Sequence, residues 1–189
     1  MKYDIVLCGV GGQGVLSVAA IIAGAAVAGG LKVRQSEVHG MAQRGGAVLA
    51  HLRISDGVIH SDLIPGGGAD MILSMEPLES LRYADFLAPD GILITAEEPF
   101  VNIPDYPDVA ALYAAIAAFP KNSRVPALDL AKKAGSAKAT NMVLVGAASR
   151  YLPLKAESME NAIRERFASK GEAVIQVNLD AFRAARGLP

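Results

Sequence analysis

The stretch Tyr3-Asp4-Ile5-Val6-Leu7-Cys8-Gly9-Val10-Gly11-Gly12-Gln13-Gly14-Val15 decides the fold. An apolar run that ends in a glycine loop reads as a central parallel strand, Tyr3 to Leu7, covered on both faces. Glycines 9, 11 and 14 match the spacing G-x-G-x-x-G, in which the first permits a tight turn and the others let a phosphate and a helix approach the backbone closely. The apolar segment Val15 to Ala28 then reads as a helix buried against a sheet, stopped by Gly29-Gly30, because glycine takes the left-handed conformation that ends a helix. Leu31 to Gln35 is the second strand, so the opening of the chain is one strand-helix-strand unit. Repeated along the chain, such units give an α/β fold, an open, mostly parallel Rossmann-like sheet with helices on both faces.

Working outward, Ser36 to Gly46 is a loop and Ala47 to Ser55 a strand. Asp56-Gly57 is a strong hairpin signal, with Val58 to His60 returning, so a hairpin insertion interrupts the parallel pattern. Asp70 to Met75 is a further buried strand. Glu76-Pro77 opens a helix to Leu87, with proline in its first turn. Pro89-Asp90-Gly91 turns into the strand Ile92 to Thr95. The proline-rich segment from Glu97 to Pro126 is least regular, with a helix over Val109 to Ala118. Helices follow over Leu128 to Ala134, Thr140 to Tyr151, Leu154 to Ala168 and Leu179 to Arg186. There is no internal repeat and no linker, and we expect one domain over 1–189.

Composition narrows the function. The 18 basic and 19 acidic residues of this 189-residue chain are interspersed and leave a formal charge of −1, which predicts neither nucleic acid nor an anionic membrane as partner. No signal peptide or membrane-spanning segment is expected, and the cytoplasm is the expected compartment. With a single cysteine the chain can build neither an internal disulfide nor an iron–sulfur cluster, which takes about four thiolates. Cys8 itself reads as a small buried hydrophobe. Any redox centre must come from elsewhere.

Two loops then carry the candidate chemistry, both expected at the carboxyl ends of strands, where open α/β sheets bind ligands. The first is Gly9 to Gly14. A dinucleotide site also wants an acidic residue at the end of the second strand, whereas that end reads Lys32-Val33-Arg34-Gln35. Glu37 is a poor substitute, and Arg34 could instead accept a 2′-phosphate. The simpler reading is that the glycines let the helix pack and that Gln13 faces a neighbouring chain. The second loop gathers Glu37, His39, Gln43 and Arg44 among Gly40, Gly45 and Gly46. Arg44 has forked donors for phosphate or carboxylate and His39 can move protons near neutral pH, but neither has a nucleophile beside it. His51 and His60 are too scattered to imply a metal site, and Ser17, Ser61 and Ser74 lack a nucleophile-elbow context.

The segment Gly9 to Val15, taken with Ser36 to Gly46, Met75-Glu76-Pro77-Leu78-Glu79-Ser80-Leu81-Arg82, Asn141 to Ala147 and Glu160-Asn161-Ala162-Ile163, resembles the gamma-type domain of 2-oxoacid:ferredoxin oxidoreductases, nearest to the small beta subunits of their indolepyruvate branch. The likeness covers nearly the whole chain. It implies a complex that oxidatively decarboxylates an aryl 2-oxoacid, joins the acyl fragment to coenzyme A and reduces ferredoxin. Thiamine diphosphate with Mg and the Fe-S clusters are then expected mainly on a larger alpha subunit. This chain has only Pro89-Asp90-Gly91 where a Gly-Asp-Gly start to a diphosphate loop is needed. The implied role is docking. Gly11, Gly12, Gln13, Gly14, Glu37, Gln43, Arg44 and Gly45 would be cofactor-binding or partner-facing, with charge-assisted contact from Arg44 and polar shaping by His39. The alternatives are a stand-alone NAD(P)-binding oxidoreductase and a purely structural subunit.

Overall fold

In the computed structural model, which describes residues 1–39 and 45–188 with the side chain of His39 excepted, the glycine loop leaves β1 (Lys2–Val10) and enters α1 (Val15–Ala28). The chain continues through β2 (Lys32–His39), β3 (Ala47–Ser55), β4 (Ala69–Ser74), α2 (Pro77–Arg82), β5 (Leu87–Ala96), α3 (Val109–Ala117), β6 (Asn122–Val125), α4 (Ala127–Lys133), α5 (Thr140–Ala148), α6 (Ala156–Phe167) and α7 (Glu172–Arg186). The six strands form one sheet in the order β2-β3-β1-β4-β5-β6. β3 runs antiparallel to both of its neighbours, β1 and β2, while the pairings β1–β4, β4–β5 and β5–β6 are parallel. The mostly parallel α/β sheet expected from the sequence is therefore present.

Alternation along the central strands divides the core. Ile5, Leu7, Met71, Leu73, Ile92 and Ile94 point to one face, where they pack with α1, α4, α5, α6 and α7. Val6, Cys8, Ile72 and Leu93 point to the other, under Leu81 and Tyr83 after the fourth strand and Ile116 of α3. Strands covered on both faces carry apolar residues at successive positions, which is why Ile5 to Leu7 shows no polar alternation. α5 lies deepest among the helices, with every residue from Met142 to Ala148 buried. Gly146 permits this, since a Cβ there would sit 2.1 Å from the Phe182 carbonyl oxygen of α7.

The hairpin insertion is real but lies elsewhere than expected. β2 and β3 form it across the 40–46 connection, and 58–60 form no strand. The reason is occupancy: β3 has β1 on one edge and β2 on the other, so no ladder is left for a strand after Asp56-Gly57. That turn is used locally instead. The Gly57 N–H donates to Ser55 Oγ, and the Asp56 carboxylate receives the amino terminus at 2.7 Å. The first strand-helix-strand unit is also modified, because β3 sits between β1 and β2. Pro89-Asp90-Gly91 is part of β5 rather than a turn, at a shift of register against β4. Gly91 allows that shift, since a Cβ would lie 2.8 Å from the Ala69 carbonyl oxygen. α2 stops at Arg82, before a short 3-10 turn over Ala84–Phe86, and α7 begins seven residues earlier than the sequence suggested.

At the opposite edge from the glycine loop, the wholly buried Asp4 accepts from Arg53 Nε and Nη2, each at 2.9 Å. The same guanidinium gives Nη1 to the carbonyls of Ser61 and Leu63, which fixes the segment after β3. Paired and hydrogen-bonded in this way, a buried carboxylate is tolerated. Among the described residues no helix is long and apolar enough to cross a membrane.

Candidate site at the carboxyl edge of the sheet

Gly12 and Gly14 have φ of 100° and 80°, a conformation that side chains other than glycine rarely adopt. Gly14 is the residue from which α1 starts. Gln13 between them is engaged on both ends of its amide: Oε1 accepts the Val10 N–H at 2.8 Å and Nε2 donates to the Met75 carbonyl at 3.4 Å. Its own carbonyl receives Asn141 Nδ2 at 2.9 Å. The side chain expected to reach toward a phosphate or a neighbouring chain thus braces β1 against the end of β4.

The two glycine loops are joined. The Gly11 N–H donates to the Gly46 carbonyl at 2.7 Å, and the Gly45 N–H donates to the Gly11 carbonyl at 3.3 Å. Gly45 has φ of 77°, and its carbonyl also receives Asn102 Nδ2 at 2.8 Å. Glu37 is not in a loop, as the sequence suggested, but on the edge strand β2 opposite Ala50, with Gln35 Nε2 donating to its carboxylate at 3.4 Å. His39 ends β2. Its side chain, together with Gln43 and Arg44, lies outside the described residues.

Beside the glycine loop is a cleft of about 430 Å³, walled by Gly12, Gly14, Met75, Phe100, Lys138 and Asn141, among others. It lies at the carboxyl ends of β1, β4 and β5, where the chain leaves β1 for a helix on one face and β4 for a helix on the other. Open α/β sheets place their ligands at such a switch in direction. Lys138 supplies a cation to the lining and Glu98 a carboxylate, which accepts the Leu128 N–H at 2.9 Å at the start of α4. The lining can hold a polar or anionic group, but it has no nucleophile with a base beside it.

The sequence reading missed Glu76. Its carboxylate, 1% exposed, accepts from the Glu79 N–H at 2.8 Å, the Phe100 N–H at 3.2 Å and the Tyr106 hydroxyl. The sequence placed Glu76 only at the opening of a helix, before Pro77, and within a segment of the family likeness; nothing in it signals the two partners from the irregular segment after β5. Burial raises the Tyr106 hydroxyl well above its ordinary value, and the bond to Glu76 raises it further. Burial likewise raises the neighbouring Glu79 carboxyl, against the opposing pull of Arg82, whose Nε lies 3.1 Å from both carboxylate oxygens.

The remaining candidates have structural partners. His51 Nδ1 accepts the Ile64 N–H at 3.0 Å and the ring meets Phe86 edge-on, so burial and then Arg53 lower its pKa. His60 is exposed. Ser74 donates to the Glu76 carbonyl, and Ser17 receives Arg166 Nη2. Cys8 is wholly buried, its Sγ 3.5 Å from the Glu79 carbonyl, and burial pushes the thiol to about 12. One sealed thiol does not fit an iron–sulfur cluster. Asp90 does not fit a metal-diphosphate loop either, since it lies on the exposed early part of β5, away from the carboxyl edge.

The sequence matches the pyruvate ferredoxin/flavodoxin oxidoreductase family over residues 4–188. The chain belongs to this family. It is 41% identical to the indolepyruvate oxidoreductase subunit IorB of Archaeoglobus fulgidus, over 97% of this chain and 93% of that one. It is 38% identical to IorB of Pyrococcus horikoshii, over 96% and 93%. Among solved structures, the gamma subunit of a keto/oxoacid ferredoxin oxidoreductase from Geobacter sulfurreducens superposes with a TM-score of 0.72 at 24% identity, over 97% of this chain and 95% of that one. The 2-oxoglutarate:ferredoxin oxidoreductase from Magnetococcus marinus, solved with 2-oxoglutarate, coenzyme A and succinyl-CoA, gives 0.78 at 23% identity. This chain is wholly covered there but spans only 32% of that one. The likeness to these two structures shows the fold. Both of these relatives, of about this length, are named as oxidoreductase subunits, and a stand-alone dinucleotide-binding oxidoreductase is not favoured.

Proposed function

We propose that this chain is the small subunit of an indolepyruvate-type 2-oxoacid:ferredoxin oxidoreductase, acting as one domain over 1–189 in the cytoplasm. The observation that carries the reading is the 41% and 38% identity to two IorB subunits over nearly the full length of each chain. The reaction converts an aryl 2-oxoacid, coenzyme A and two oxidised ferredoxins into acyl-CoA, carbon dioxide, a proton and two reduced ferredoxins. The one buried thiol and the position of Asp90 support a division of labour in which a larger alpha subunit holds the clusters and thiamine diphosphate with Mg, which supplies the carbanion chemistry. This chain's part is to dock its carboxyl-edge loops against that subunit. The backbone from Gly11 to Gly14, bonded to Gly45 and Gly46, gives a floor, the cleft offers Lys138 and Asn141 to a polar group, and Arg44 and His39 contribute charge and shape at the second loop.

Anaerobic co-expression with the larger subunit tests this. A brown complex that reduces a dye only with both a 2-oxoacid and coenzyme A is expected, and a colourless single chain would overturn the reading. Arg44→Ala should cut turnover about ten-fold or more while the complex still assembles, as loss of a charge-assisted contact of about 1.5–3 kcal/mol implies. Full turnover in that variant would reduce the subunit to a structural role.

A further inference from the structure

The cleft beside the glycine loop has walls of different origin. One is made by Gly12 and Gly14 with Thr140 and Asn141 at the start of α5, tied together by the bond from Asn141 to the Gln13 carbonyl. The facing wall is Glu98-Pro99-Phe100, part of the segment 97–108 that joins β5 to α3 with no strand or helix of its own. A segment without a ladder or helical bonds takes its shape from the partners its polar groups find elsewhere. Here the Glu98 carboxylate accepts the Leu128 N–H at 2.9 Å, and the Phe100 N–H and the Tyr106 hydroxyl both donate to one oxygen of Glu76, Oε1. Packing alone does not hold the wall, since Phe100 is 46% exposed.

Glu76 directly follows Met75, which lines the cleft between these walls, so a residue of the lining and the clasp of the outer wall are neighbours in the chain. The second carboxylate oxygen of Glu76, Oε2, accepts the Glu79 N–H and caps α2. The cap thus occupies one oxygen and leaves the other wholly to the segment 97–108. A carboxylate sealed from water needs its charge hydrogen-bonded, and bonds to an ionised acceptor are stronger than neutral ones, so Glu76 draws this segment into one place. The geometry points to Glu76 and Tyr106 as positioning residues: the carboxylate and the hydroxyl together fix Pro99 and Phe100 as the outer wall of the cleft, and so set what the cleft admits. That the cleft serves the 2-oxoacid reaction rests on the functional reading above; the fixing of the wall does not.

The chain contains no tryptophan, so Phe100→Trp places a single emitter in the wall. In that background Tyr106→Phe, which removes the donor hydroxyl and keeps the ring, should raise acrylamide quenching about two-fold or more, and Glu76→Gln, which keeps an oxygen for the α2 cap, should act in the same direction. Asn178→Ala is the control. It removes a buried side-chain bond to the Val174 carbonyl within α7, a loss of similar size far from the cleft, and should leave the quenching unchanged. Without the tryptophan, hydrogen exchange over 98–107 should speed up about five-fold in Tyr106→Phe, the population shift that one net hydrogen bond supports. Unchanged quenching or unchanged exchange in Tyr106→Phe overturns the proposal, as does an equal response to Asn178→Ala. In the complex with the larger subunit, Tyr106→Phe should raise KM for the 2-oxoacid or for coenzyme A about three-fold or more with kcat unchanged, the pattern of altered binding rather than altered chemistry. Both KM values unchanged beside a loosened wall overturn the claim that the wall sets what the cleft admits. A wild-type complex without turnover overturns the functional reading, and quenching and exchange alone then decide on the wall.

Discussion

The side-chain amide of Asn141 donates to the main-chain carbonyl of Gln13 at 2.9 Å, joining residues 128 positions apart and tying the start of α5 to the glycine loop. The same amide nitrogen would lie 2.5 Å from a Cβ on Gly14, where φ is 80°. Gly14→Ala should therefore destabilise the chain twice over, through backbone strain of about 1–2 kcal/mol and through the clash. Asn141→Ala should cost about 1 kcal/mol for the lost bond. In the double variant the clash is gone while the strain and the lost bond remain, so urea unfolding should show a total smaller than the sum of the two single effects. Additive costs would place the two residues out of contact.

Gly146 marks the closest approach of α5 and α7. Since the atom nearest to an added Cβ is main-chain oxygen at 2.1 Å, no side-chain rotation can relieve Gly146→Ala. The helices must separate, at a cost of about 3 kcal/mol or more by analogy with overpacked cores. Gly24→Ala provides the control, because its Cβ would meet only Ala162 at an ordinary 3.9 Å. That change should be neutral or mildly stabilising, since alanine is the better helix former. Thermal unfolding of the two variants reads the contrast.

Glu79 gives stability a pH dependence of definite sign. Its folded pKa lies above the ordinary 4.5 because burial disfavours the charged form. The native state therefore binds this proton more readily than the unfolded chain does. Its contribution is fully present below the ordinary value and is lost as pH rises toward the raised one. Relative to Glu79→Gln, which stays neutral, wild-type stability should fall as pH is raised from about 4 to about 7. Urea midpoints for both proteins across that range provide the check, and an opposite slope would show that Arg82 outweighs burial.

Cys8 should resist alkylation. With its thiol pushed to about 12 by burial, almost no thiolate exists near neutral pH, and the sulfur is sealed. Iodoacetamide should label the native chain negligibly and the urea-unfolded chain stoichiometrically. Rapid native labelling would mean that β1 opens locally.

Much of the fold was legible wherever a local pattern forced it. The apolar run of β1, the glycines around α1 and the proline that opens α2 each specify their element without help from distant residues. β6 escaped because Asn122-Ser123-Arg124-Val125 buries only its last residue, leaving no alternation to read. The first half of α7 escaped because most of its side chains face solvent. The hairpin was misplaced because Asp56-Gly57 is a strong turn signal, and the turn is made; what the sequence does not record is that both edges of β3 are already taken. At the candidate site, the glycines at 11, 12, 14 and 45 were visible as backbone features. Glu76, Tyr106 and Asn102 were not, since their meaning lies wholly in partners brought from elsewhere in the chain.

The insertion of β3 also changes what an acidic residue near the end of β2, such as Glu37, can mean. In a parallel dinucleotide fold that residue stands on the strand next to β1, within reach of a ribose held over the glycine loop. Here β2 is two places from β1, and at about 4.8 Å between neighbouring strands its end stands about 10 Å away. An aspartate placed there would be one strand too far from the sugar. The glycine loop has the backbone conformation of a nucleotide cradle, but the strand order sets the other half of the recognition out of range, so an acidic side chain on β2 would not by itself give dinucleotide binding.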